Sequence, residues 1–211
     1  MDFYQLDTDA QVERLEQLAR RALTNWELEA DNLDLIKYRE NAVFKLATTN
    51  GTAYALRIHR AGYHSDDALR SELLWMAAVE DHGVHVPKLV ATARGEPFVS
   101  MVMDNPRETR QVDIFEWVDG QQLGSVEDGV SDPTAIATTY DTIGSLAAQL
   151  HNQATGWELP PGFTRHAWDA EGLAGEKPFW GPFWKLEQLT DGQRELLVTA
   201  REQVYEDLKT Y

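Results

Sequence analysis

The sequence has no cysteine, which removes disulfides, thiolate zinc sites and cysteine nucleophiles from consideration. It also has no apolar run of membrane-spanning length, and Met1-Asp2-Phe3 opens without the basic-then-apolar pattern of a signal peptide. A cytoplasmic location with no membrane partner is the resulting expectation. Positive charge is in short supply: 19 Lys and Arg stand against 35 Asp and Glu, and the net charge of −16 argues against nonspecific binding to nucleic acid. An anionic ligand needs a local cationic site against that background. Two phosphate- and acyl-handling motifs are absent as well, Gly-x-x-x-x-Gly-Lys-Ser/Thr and Gly-x-Ser-x-Gly, so a P-loop or a serine-hydrolase elbow has no foothold. What is present is ordinary globular composition, 43% hydrophobic and 26% charged over 211 residues, enough for one large domain or two small lobes.

The most informative stretch is 52–60, Thr-Ala-Tyr-Ala-Leu-Arg-Ile-His-Arg, a strand pattern with a charge in its middle. Strand alternation puts Tyr54, Leu56 and Ile58 on one face and Ala53, Ala55 and Arg57 on the other. Fifteen positions on from Arg57, helical spacing over 65–81 puts Leu69, Glu72, Leu73 and Met76 on one stripe, so Glu72 is a carboxylate on an apolar face. A buried charge is tolerated mainly when paired, and the spacing predicts that Glu72 reaches back to Arg57.

Around this pair the chain reads as α+β. Apolar spacing predicts a packing helix within 9–30, capped by Thr8 or Asp9. Strands are expected at 33–38 and 43–46 around a tight turn at 39–42, and Asn50-Gly51 is a hairpin signal leading into the Arg57 strand. Ser65 caps the Glu72 helix and Gly83 ends it. Residues 86–93 and 97–103 read as strands, and 112–118 completes an antiparallel sheet taken as five-stranded, with one helix after its third strand. An acidic linker follows at 124–133. A helix over 135–152 has an apolar stripe of Ile136, Tyr140, Ile143, Leu146, Ala147 and Leu150. Trp157, Trp168, Trp180 and Trp184 crowd a loop-rich segment whose rings mostly pack. A last helix over 189–208, capped by Thr190, presents Leu196, Leu197, Ala200 and Val204 inward. His59 and His64 lack companions at metal spacing and read as packing or surface histidines.

The segments YALRIHRAGYHS…LRSELLWM, DIFEWVDGQQL and IGSLAAQLHN resemble the aminoglycoside phosphotransferase and choline kinase-like superfamily, in its homoserine-kinase-like branch, from about residue 33 to the end. The resemblance implies a protein-kinase-like small lobe, a five-stranded antiparallel sheet plus helix over 1–117, a hinge and linker over 118–133, and a partial helical lobe over 134–211. It assigns Arg57 to nucleotide phosphates in the place of the usual Lys, Glu72 to fixing Arg57, and Ala55 to the underside of adenine. The backbone of Glu116 and Val118 would meet the adenine edge with Phe115 behind it; a plain strand end turning at Asp119-Gly120 fits the same residues. Arg165, Trp168 and Asp169 are the substrate-side candidates.

No His-x-Asp-x-x-x-x-Asn loop follows, and no catalytic residue or metal ligand is assigned within these residues. The implied cofactors are ATP and Mg, with the metal ligands expected beyond Tyr211, and the implied partner is a small-molecule hydroxyl acceptor of aminoglycoside, homoserine or choline type. The expectation is therefore the amino-terminal portion of an ATP-dependent phosphotransferase that binds nucleotide without turnover on its own. Two alternatives are a complete, non-catalytic nucleotide-binding or regulatory module and an interaction domain that keeps the sheet as scaffold.

Overall fold

The computed structural model describes residues 2–120 and 136–210, together with the backbone of a short antiparallel strand pair, Gly124–Ser125 and Gly129–Val130. The rest of the linker expected at 124–133 lies outside the described residues. The chain divides into two compact units, Met1–Phe163 and Thr164–Tyr211.

In the first unit, β1 (Ala30–Tyr38), β2 (Ala42–Thr48), β3 (Ala53–Ile58), β4 (Val99–Met103) and β5 (Glu108–Glu116) form one antiparallel sheet in the order β1-β2-β3-β5-β4. Helix α1 (Thr8–Ala22) precedes it, and α2 (Asp66–Asp81) is inserted after β3. The period-two pattern sorts the faces as expected. Leu56 and Ile58 are fully buried with Phe44, Leu46, Val112 and Ile114, in one cluster with Leu15 and Leu18 of α1. The opposite face carries Ala55 and Phe115, packed with Phe98 and with Leu69 and Leu73 of α2. Both faces of β3 are therefore held, and the Arg57 side lies in a second small core rather than an open surface.

Helix α1 is shorter than its apolar spacing suggests. Asp7, rather than Thr8 or Asp9, caps it by accepting from the Ala10 N–H at 2.9 Å. After Ala22 the chain tightens into a 3-10 turn, Leu23–Asn25, because Thr24 Oγ1 and Asn25 Nδ2 donate to the Arg21 and Ala22 carbonyls at 2.9 and 2.8 Å. Helix α2 follows its sequence signals closely: Ser65 Oγ accepts from the Ala68 N–H at 3.1 Å, and Gly83 leaves the helix at φ +90°, a conformation that favours glycine.

Residues 86–93 are not a full strand. One bridge, Leu89 to Phe115, and two bonds, Val90 N–H to Ile114 C=O and Glu116 N–H to Lys88 C=O (2.8 Å each), tie the segment to β5. The rest of that β5 edge, Glu108 to Val112, is taken by β4. Pro87 also brings no N–H to a ladder.

Helix α3 (Ile136–Gly156) is tied to α2 by a hydrogen bond from Trp75 Nε1 to Gln153 Oε1 at 2.9 Å. Its expected apolar stripe does not pack as read: Tyr140, Ile143 and Leu146 are exposed, and Gln153 is the buried residue.

The second unit holds α4 (Ala170–Ala174) and α5 (Asp191–Lys209) around the buried Trp184. The inward side of α5 differs from the one its leucines suggest. Leu196 and Val204 are exposed, whereas Arg201 reaches inward, stacking 4.7 Å from the Trp184 ring and donating from Nε to the Ala174 C=O at 2.7 Å. Arg194 likewise donates to the Trp184 C=O at 3.0 Å. These contacts bond guanidinium groups to backbone carbonyls, which apolar periodicity does not register. Thr190 forms a capping box with Gln193 at the start of α5. Thr190→Ala is expected to cost about 0.5–2 kcal/mol, read as a lowered Tm when unfolding is followed by far-UV circular dichroism.

Candidate functional site

The predicted Arg57–Glu72 pair is formed. Arg57 Nη2 lies 3.0 Å from Glu72 Oε1, bridging β3 and α2, with both side chains about four-fifths buried (21% and 19% exposed). A third group, absent from the sequence reading, completes the site. Asp113 stands directly across from Arg57 in the β3–β5 register and is fully buried. It accepts from Arg57 Nε at 3.0 Å on Oδ1 and from Nη2 at 2.7 Å on Oδ2, a two-pronged bond that only the planar guanidinium supports. His59, two residues on from Arg57 and just past the end of β3, is itself buried and contacts the same Oδ2 through Nε2 at 3.0 Å. Since a carboxylate only accepts, this ring nitrogen carries the proton. The packing role expected of His59 is thus a polar one.

The electrostatics follow from this enclosure. Burial pushes the Asp113 carboxyl up, but hydrogen bonds from His59 and Arg57 outweigh it and hold the group below the usual carboxylate range. For Arg57, burial acts downward and is overcome by Asp113 and Glu72, which raise it further and keep it charged. Phe115, two residues along β5 on the same face, puts its ring 5.1 Å from the Arg57 Cζ. Ala55 is in register with Phe115. The tight turn between β1 and β2 lies at the Arg57 end of the sheet, since Ala42 pairs with Ile58 and Val43 with Arg57.

At the other end of β3, the successive peptide groups where β5 ends are used differently. Glu116 N–H goes to the Lys88 C=O at 2.8 Å and Trp117 N–H to the Ala53 C=O at 3.3 Å, while Val118 N–H has no hydrogen-bond partner among the described residues. Beside this strand end, a surface cavity of about 430 Å³ is bounded by Lys45, Thr52, Ala53, Tyr54, Glu116 and Asp119. Lys45 is a second cation that sequence reasoning passed over. It pairs in register with Ala55 and rests its Nζ 4.3 Å over the Trp117 ring.

The substrate-side candidates all lie in the second unit. Asp169 caps α4 by accepting from the Gly172 N–H at 2.8 Å. Trp168 is 63% exposed and meets Trp180 edge-on at 5.8 Å, while Arg165 lies on the surface. His166 stacks on Phe179 at 3.5 Å. No group of three or more His, Asp or Glu able to hold a metal occurs among the described residues. None of the described helices is long and apolar enough to cross a membrane.

A five-stranded antiparallel sheet with an inserted helix, joined to the sheet by an Arg–Glu ion pair, defines a protein-kinase-like α+β protein. More narrowly, the chain belongs to the phosphotransferase enzyme family, whose profile matches residues 36–209. It is similar to a solved microcompartment-associated aminopropanol kinase, with 30% identity and a TM-score of 0.72, over 93% of this chain and 58% of that one. An amicoumacin kinase solved with AMP-PNP and Ca2+ is similar in fold, with 16% identity and a TM-score of 0.71, over 97% of this chain and 57% of that one. The chain thus spans 58% and 57% of the length of these two structures. A search of curated proteins gave no match.

Proposed function

We propose that this chain is the nucleotide-binding portion of an ATP-dependent phosphotransferase that acts on a hydroxyl group of a small molecule. The observation that carries the reading is the Arg57–Glu72 ion pair between β3 and α2, in a chain of the phosphotransferase enzyme family. Phosphoryl transfer asks mainly that the phosphates be held and the acceptor hydroxyl be oriented. Arg57 is suited to the first task, because its guanidinium is permanently charged and its two Nη1 donors are without a partner among the described residues. ATP, which supplies the phosphoryl group, would lie along the Arg57 face of the sheet, with adenine toward Ala55 and the backbone of Glu116 and Val118 and with Phe115 behind them. Lys45 joins that assignment as a second cation on the same face. We assign the metal and the carboxylate base to none of the described residues.

For the acceptor, a small amino alcohol is the reading favoured by the 30% identity to a microcompartment-associated aminopropanol kinase. A net charge of −16 agrees with it, since an acidic protein field draws in a cationic ammonium group and disfavours a second anion. Arg165, Trp168 and Asp169 stay candidates for that side, Asp169 holding its capping bond through Oδ1.

The test is nucleotide-dependent stabilisation. Saturating MgATP is expected to raise the unfolding free energy of the wild-type chain by about 2.7 kcal/mol at a hundredfold excess over Kd. Arg57→Ala should remove most of that increment. A flat melting temperature up to millimolar MgATP would overturn the nucleotide-binding reading.

A further inference from the structure

We infer that Asp113 is a positioning residue that decides which edge of the Arg57 guanidinium meets the phosphates, an inference that rests on the nucleotide-binding reading above. A guanidinium has five N–H donors in a fixed plane. Two make hydrogen bonds to Asp113, Nε–H to Oδ1 at 3.0 Å and one on Nη2 to Oδ2 at 2.7 Å, and Nη2 is also ion-paired with Glu72 Oε1 at 3.0 Å. The pair on Nη1 has no partner among the described residues, and Nη1 is not among the buried polar atoms left unsatisfied, so this edge is the one solvent reaches. Asp113 is fully buried in the strand between β3 and β4, and His59 donates to it at 3.0 Å, so the acceptor behind Arg57 is itself fixed. The Arg57 Cζ lies over the Phe115 ring, 5.1 Å from its centroid.

This arrangement accounts for an arginine at a strand position where the resembling kinases use lysine. A lysine has one nitrogen, and two carboxylates at hydrogen-bond distance would take two of its three donors and hold the third to no fixed direction. An arginine separates the tasks: the Nε/Nη2 edge is anchored and the Nη1 edge is left to bind. It also changes the basis of anion recognition. One guanidinium faces two carboxylates, so Arg57 offers a phosphate two aimed N–H donors rather than an uncompensated charge, and the aim is set by Asp113.

The experiment follows the Arg57 guanidinium by 15N–1H NMR in the wild-type chain during titration with Mg-AMP-PNP, the Arg57 signals being assigned by their loss in Arg57→Ala. The expected result is resolved Nη1 and Nη2 protons, from restricted rotation, with Nη1 shifting on titration while Nε and Nη2 hold their positions. Movement of Nε and Nη2 would overturn the inference, because it would mean that phosphate displaces Asp113. Binding reported by other residues with all Arg57 signals unmoved would also overturn it while leaving nucleotide binding intact. No shift anywhere would instead remove the functional reading and this inference with it. A double-mutant cycle gives the second arm: Asp113→Asn is expected to weaken Mg-AMP-PNP binding about tenfold in the wild-type background and less than about twofold when Arg57 is already alanine. An equal loss in both backgrounds would make Asp113 merely structural.

Discussion

Asp113→Ala is expected to lower the unfolding free energy by about 3–5 kcal/mol, among the largest effects of any single change in the first unit. The carboxylate is fully buried and accepts three hydrogen bonds, two from Arg57 and one from His59. Its removal leaves a mostly buried guanidinium with Glu72 as its remaining carboxylate and leaves the His59 Nε2–H without its acceptor. The cost comes from stranded donors rather than from the strength of the pair as such. Arg57→Met/Asp113→Leu should therefore recover part of the loss, retaining a deficit of roughly 1–3 kcal/mol for the unsatisfied His59 donor and for Glu72, which loses its ion pair with Arg57. Urea unfolding of the three proteins at constant m-value checks both statements.

The pH dependence has a definite sign. Asp113 titrates lower in the folded chain than the value of about 3.9 expected for an unfolded Asp, so the unfolded state takes up the proton first. Its stabilisation is complete above that unfolded value and is lost as pH falls through the folded one. The gap between wild type and Asp113→Ala should stay constant from neutral pH down to about pH 4 and narrow below it. A gap that widens on acidification would show that Asp113 is not the anion holding Arg57.

How much of this site could be read from the chain depends on the distance over which a pattern speaks. Arg57 and Glu72 were legible because each breaks a local period, two residues in a strand and 3.6 in a helix, and each break demands a partner. Asp113 breaks the period of its own strand in the same way, between Val112 and Ile114. Linking it to Arg57, however, requires knowing that β5 lies beside β3, and that adjacency is created by a closure of 56 residues carrying α2 and β4. Lys45 was hidden similarly, because its relation to Ala55 is a matter of register. The helices were legible in position and less so in orientation. Arg201 and Arg194 face inward on α5 by bonding to carbonyls, where a hydrophobic pattern points to Leu196 and Val204 instead. The short bridge at 86–93 depended on competition for one edge of β5, a property of the assembled sheet.

Phe3→Ala is the second large effect, expected at about 3–5 kcal/mol, and it separates loss of fold from loss of site. Phe3 opens a short 3-10 turn, Phe3–Gln5, ahead of α1, and it is fully buried in the α1-side core. Its N–H donates to the Asn105 C=O at 2.8 Å, and its ring lies 4.8 Å from the Cζ of Arg110, a buried cation on β5. Tyr4 adds a bond from its hydroxyl to Glu108 Oε2 at 2.8 Å. The amino-terminal segment is thus fastened to β5 on the face opposite Asp113, since Arg110 and Asp113 are an odd number of residues apart on one strand. Truncating Phe3 leaves a cavity on that side and should not disturb the Arg57 hydrogen bonds. By linkage, the nucleotide-dependent increment depends on Kd and ligand concentration alone, whatever the starting stability. Phe3→Ala should melt far below wild type and still gain the full MgATP increment, whereas Arg57→Ala should lose the increment at any starting Tm. A Phe3→Ala chain that folds but no longer responds to MgATP would mean that the two faces of β5 are coupled and that the site is not held by Asp113, Glu72 and His59 alone.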